Sequence, residues 1–292
     1  MPKFGVSSYS ISGKVGSGEM TPEAAVKWLA ENGCEVIEIV PSASDIINTP
    51  ELIEYFNEVS KSTNVPIENY SFGGNFCQIS DEESEAEVKR VCEHITAASK
   101  LGVKTIRVDS VGWSRSPEIN TIENFQLELP TIVKAYTALC NHAAQHNITI
   151  LLENHGYHVN GSERVRQVIK GMEAAGVKNF GLQLDTGNFE CVDERGEIAT
   201  KKLLQFATTI HMKDFYIRYE NPGDGGWFQS SNGTYLRGSI LGQGDLKTRQ
   251  VLKMIKESGF DGNIFLEFEG IEDCLFATKA SLDNLKRIYN EV

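Results

Sequence analysis

Eight times along the chain a short apolar run rich in Val, Ile and Phe gives way to a longer stretch of helical period, and the alternation continues from end to end. The predicted strands cover 3–9, 35–40, 67–72, 105–109, 149–153, 181–185, 209–213 and 263–268. The helices between and after them cover 22–31, 50–61, 82–100, 121–145, 162–175, 196–206, 247–258 and 274–289. Thr21, Pro22 and Glu23 read as N-cap, first helical position and first-turn acid, while Gly33, Gly102 and Gly259 supply C-terminal stops. Over 292 residues the units average about 36 residues each, the scale of a (β/α)8 TIM barrel.

A doubly wound open sheet is the competing architecture, but its nucleotide signature is missing. The segment ISGKVGSGEMT after the first strand has neither G-x-G-x-x-G nor G-x-x-x-x-G-K-[ST], and reads as a mobile βα loop. No linker or low-complexity tract divides the chain, so one domain over 1–292 is expected.

Composition narrows the partners. Lys and Arg number 28 against 40 Asp and Glu, a net charge of −12, which disfavours nucleic acid and anionic membrane. The start MPKFGVSSYS lacks a secretory pattern, and no run of eighteen apolar residues occurs, so a cytoplasmic protein is expected. Six cysteines without a C-x-x-C pair suit buried reduced thiols better than zinc or disulfide frameworks.

In a barrel of this kind the useful groups stand at the C-terminal ends of strands. Strands five to eight end in LLENH, LQLDTGN, IHMKD and FLEFEG, placing Glu153, Asp185, His211 and Glu267 at four successive ends. Three carboxylates and one imidazole form a hard, oxygen-rich set suited to Mn²⁺, Mg²⁺ or Co²⁺, with Zn²⁺ also possible. The apolar triplets before Glu153 and Glu267 argue against solvated faces, and a buried acid needs a partner such as a cation.

These stretches, together with GQGDLKTRQVLKMIKESGFDGNIFLEFEG, resemble the sugar-phosphate isomerases and epimerases of the xylose isomerase-like barrel, including ketose 3-epimerases, over nearly the whole chain. The resemblance implies a divalent metal, Mn²⁺ foremost, held by Glu153, Asp185, His211 and Glu267, with Glu153 and Glu267 also the acid/base pair. It implies ketose 3-epimerisation of a sugar or sugar phosphate by proton transfer through a cis-enediolate held at the metal, and a homodimer or homotetramer. Asn188 stands where many members carry His, which weakens the case for a phosphorylated substrate.

Further substrate contacts are expected from His155, two positions beyond Glu153, and from Asn188, Lys213, Glu38, Arg107, Trp113 and Arg237. Glu269 is the rival ligand to Glu267, and Asp214 is expected to cap or brace a loop. The segment 214–244 reads as an insertion after strand seven that lies over the mouth as a lid, or as a surface excursion. His142 and His146 have zinc-compatible spacing, but HAAQH lacks the H-E-x-x-H glutamate and reads as a solvated helix face.

Three other functions compete. A dehydratase of a keto-inositol or keto-sugar would use the same proton abstraction to expel water. An AP-endonuclease-like phosphodiesterase would need more histidines and a basic surface than six histidines and −12 provide. A non-catalytic sugar-binding protein would leave the four ligand types without a role.

Overall fold

The computed structural model describes residues 1–77, 80–113 and 115–292. Eight parallel strands close a barrel: β1 (Lys3–Ser7), β2 (Ile37–Ile39), β3 (Ile67–Phe72), β4 (Thr105–Val108), β5 (Thr149–Glu153), β6 (Phe180–Asp185), β7 (Ala207–Met212) and β11 (Asn263–Leu266), with β11 pairing β7 and β1. Helices α2 (Pro22–Glu31), α3 (Glu51–Thr63), α4 (Asp81–Ser99), α5 (Ile122–Ala144), α6 (Ser162–Ala174), α7 (Gly196–Leu203), α8 (Thr248–Glu257) and α9 (Cys274–Glu291) follow the strands in turn. Between β7 and β11 the chain also forms β8 (Asp214–Arg218), β9 (Phe228–Gln229) and β10 (Tyr235–Ser239), a separate antiparallel sheet in the order β8-β10-β9.

Local signals account for the helix starts. Thr21 accepts from the N–H of Ala24, with Pro22 at the first turn, and Ser80 and Glu83 form a reciprocal capping box. The segment predicted as a mobile loop after β1 instead folds into a 3₁₀ turn, Ser8–Ile11, and a short helix, α1 (Ser12–Gly16), with Ile11 buried in the core. Ile11 in the core, with Val15 and Met20 packed against it, anchors a stretch that composition alone marked as glycine-rich.

Side-chain alternation divides the strands into two populations. Ile106, Val108, Ile150, Leu152, Leu184 and Ile210 belong to the large buried core with Ile132, Val165 and Leu285 of α5, α6 and α9. The intervening positions are polar along much of the barrel: Glu38, Asn69, Ser71, Gln183 and Thr209 are all buried and tied together. Asn69 Nδ2 donates to Glu38 and Gln183, Ser71 Oγ donates to Glu38, and Thr209 Oγ1 donates to Gln183. This paired network offsets the desolvation of an interior that is polar where most such barrels are aliphatic. All six cysteines are free, and among the described residues no helix is long and apolar enough to cross a membrane.

Candidate metal centre and active site

The neighbouring strands β5, β6, β7 and β11 bring Glu153, Asp185, His211 and Glu267 to one point at the C-terminal end of the barrel. His211 Nδ1 lies 3.3 Å from Glu153 Oε1, 3.6 Å from Glu267 Oε2 and 3.8 Å from Asp185 Oδ2. On the other side of the ring, Nε2 lies 3.0 Å from Glu38 Oε2 and 2.9 Å from the Gln183 side-chain amide. A proton on Nε2 donated to Glu38 leaves the Nδ1 lone pair facing the carboxylates, the tautomer a metal ligand requires.

The residues fit a divalent cation on an observation independent of motif. Glu153 Oε1 and His211 Nδ1 are buried without a hydrogen-bond partner, Asp185 Oδ2 is buried with only the Lys213 ammonium 3.1 Å away, and these three residues form one of the groups able to hold an ion. Lone-pair donors converging in a dry site with so few partners are costly unless a cation completes them. The rest of each side chain is braced. Asp185 Oδ1 accepts from the N–H groups of Gly187 and Asn188 at 2.8 and 2.7 Å, while Glu153 Oε2 is gripped by Arg107 through Nε and Nη2.

The electrostatics follow from that geometry. Burial alone would raise the Glu153 carboxyl, but Arg107 and His211 outweigh it and hold it at about 2. Burial likewise works against ionised Glu267, and Lys213 and His211 keep it well below the carboxylate range. Asp185 is pushed up to about 6, first by burial, with Lys213 opposing and Glu153 and Glu267 reinforcing. His211 resists burial because Glu38 and Glu267 favour its charged form, raising it well above the ordinary imidazole value. A proton on Nδ1 and a metal ion therefore compete for one place.

Several expected substrate contacts have other partners. Glu38 is fully buried and holds His211, Asn69 and Ser71, so it positions a ligand instead of reaching a sugar hydroxyl. Arg107 binds Glu153, Asp109 and the carbonyl of Phe72, and its charge is already neutralised. Lys213 sits 2.5 Å from Glu267, 2.8 Å from Glu269 and 3.1 Å from Asp185, and donates to Asn188 Oδ1. Arg237 stacks over Trp227 at 4.7 Å and Tyr216 at 5.2 Å within the inserted sheet.

His155 does reach the site, with Nδ1 3.1 Å from Asp109 Oδ1, and Trp113 stands 65% exposed beside Gly156. Asp214 braces the segment 242–248, accepting from the N–H groups of Gly242, Gly244 and Leu246 and from Thr248 Oγ1. His142 is bound to Thr96 Oγ1 on the helical face and has no place in the cluster. Asp109 was not singled out from sequence, although it ends the fourth strand with Arg107 two positions before it. Asn154 was also missed; its side chain joins β5 to β6 by bonding both the N–H and the carbonyl of Asp185.

Fold and site together define a (β/α)8 barrel whose C-terminal face gathers a carboxylate–imidazole cluster with the donor chemistry of a divalent-metal centre. The chain belongs to the xylose isomerase-like TIM barrel family, whose pattern matches residues 26–288. No curated protein matches the sequence. Among solved structures it is similar to D-allulose 3-epimerase from Methylomonas sp. in complex with D-allulose, with 16% identity, 99% of this chain and 97% of that chain covered, and a TM-score of 0.72. It is also similar to the probable 3-DHS dehydratase AsbF from Bacillus anthracis, at 16% identity, 98% and 99% coverage and a TM-score of 0.72. A third is IOLI protein with a bound zinc atom, at 14% identity, 99% and 97% coverage and a TM-score of 0.74. At these identities the likeness is one of fold.

Proposed function

We propose that this protein is a divalent-metal-dependent isomerase or epimerase that moves a proton on the carbon beside the carbonyl of a ketose or related polyhydroxy ketone, most simply a ketose 3-epimerase. The observation that carries the reading is the convergence of Glu153 Oε1, Asp185 Oδ2 and His211 Nδ1, all buried and without a hydrogen bond, with Glu267 beside them. These four residues would hold the metal. A divalent cation bound there supplies Lewis acidity, which makes a proton next to a carbonyl removable by a carboxylate.

Glu153 and Glu267 come from β5 and from the end of β11, the outer strands of the four, so they flank the site across Asp185 and His211. One of the two, as the carboxylate, can take a proton from one face of the reacting carbon and end protonated, while the other, entering as the carboxylic acid, gives its own proton to the opposite face and ends ionised. Arg107 fixes Glu153 through Oε2 and leaves Oε1 toward the centre, while Lys213 orients Glu267. His155, held by Asp109, and the exposed Trp113 are candidates to orient the ligand. D-allulose 3-epimerase and the zinc-bound IOLI protein share the barrel, which supports this reaction class and a metal.

The fold shared with the probable 3-DHS dehydratase makes β-elimination the second reading, since the same proton abstraction starts both reactions. Mass spectrometry of ketoses, ketose phosphates and keto-inositols incubated in D₂O with Mn²⁺ or Mg²⁺ tests the proposal. Carbon-bound deuterium in an epimer or isomer supports it, whereas an enone product assigns the site to dehydration. With metal loading verified and each substrate class represented, no carbon-bound deuterium would reject the proton-transfer reading.

A further inference from the structure

Lys213 passes its stem so close to Gly187 that a Cβ there would lie 2.4 Å from Lys213 Cγ, and it ends among three carboxylates. Two of them, Asp185 and Glu267, are candidate metal ligands. The third, Glu269, has a side chain 24% exposed against 2% for Lys213, and places Oε1 2.8 Å from the ammonium. A buried ammonium at the floor of a sugar site would ordinarily draw phosphate or carboxylate groups into it. Here an acid on the solvent side already holds it.

We infer that Glu269 is a specificity residue that masks Lys213, so that the site rejects phosphorylated and carboxylated compounds and accepts uncharged polyhydroxy ketones. This rests on reading the site as one for a polyhydroxy carbonyl compound. The surrounding charges agree: among the described residues Glu38, Asp109, Glu153, Asp185, Glu267 and Glu269 are set against Arg107 and Lys213 as the permanent cations, so negative charge stays in excess after a divalent ion is added. An anionic substituent entering that field is repelled over several ångströms. Of the cations of the inserted sheet, Arg218 pairs with Asp245, and Arg237 is turned against the rings of Trp227 and Tyr216.

Isothermal titration of the Mg²⁺-loaded protein with inorganic phosphate tests the inference, using wild type, Glu269→Gln and the double variant Glu269→Gln/Lys213→Met. Wild type should show no binding at millimolar phosphate, Glu269→Gln should bind it roughly tenfold tighter or better, and the double variant should lose that gain. Equal binding by wild type and Glu269→Gln would overturn the inference, as would a gain that survives Lys213→Met. Should the single variant fail to fold, wild type still decides: kcat/KM for a free ketose should exceed that for its phosphate ester by about a hundredfold. A preference for the ester overturns the mask.

The two readings fail separately. If no ketose exchanges solvent deuterium but the phosphate gain appears and depends on Lys213, the mask stands and the proposed reaction falls. If exchange occurs with phosphate esters preferred, the reaction stands and the mask falls.

Discussion

At the scale of single residues, the chemistry depends on side chains that hold other side chains. Glu38 fixes the His211 ring from the side opposite the candidate ligands. Glu38→Gln should therefore weaken Mn²⁺ affinity by about 10- to 100-fold in a titration while leaving the unfolding temperature near that of wild type. Gly187→Ala should destabilise by about 2 kcal/mol in urea unfolding, because the new methyl overlaps the Lys213 stem in a packed site. Position at the strand ends is what singled out Glu153, Asp185, His211 and Glu267 in the sequence, and the fold gathers those four at one point. The partners were not legible: that Arg107 grips Glu153 depends on the pairing register of β4 with β5, and that Glu38 reaches from β2 to β7 depends on strands meeting across a closed interior, neither of which a local pattern encodes.

At the scale of elements, the eight barrel strands and their helices were readable because each carries its own period and punctuation. The insertion was legible only as a long interruption. Its strands β8, β9 and β10 pair antiparallel with Phe215 and Leu236 buried, and Tyr216, Ile217 and Tyr235 only half-buried, so they carry no apolar run like those of the barrel strands. Asp214 fastens the base of this insertion to the turn before α8. Asp214→Ala leaves several sheltered N–H groups without an acceptor and should cost about 3 kcal/mol, measured by chemical denaturation. A loss below about 0.5 kcal/mol would show that water replaces the carboxylate and that the brace is dispensable.

At the scale of the molecule, the two ends of the barrel use carboxylates differently. At the strand N-termini, Glu68 accepts from Lys3 and Lys104 through Oε1 and from Asn263 through Oε2, tying β1, β3 and β11 together. Burial opposes its ionised form, yet Lys104, Asn263 and Lys3 hold it at about 2, below the ordinary 4.5. With the folded value depressed, its contribution is present above pH 4.5 and fades as pH falls toward 2. Glu68→Gln should remove about 1 kcal/mol of that acid-dependent stability, a modest figure because both lysines remain solvated. At the C-terminal face the carboxylates instead converge on His211 and leave lone pairs unmatched. The most direct test of their role is the rate of solvent deuterium incorporation into the responsive ketose at saturating metal, for wild type, Glu153→Gln and Glu267→Gln. Wild type should place deuterium on carbon, and each variant should do so about a thousandfold more slowly while keeping its fold. Exchange at the wild-type rate in either variant would contradict the pairing of these two glutamates as acid and base.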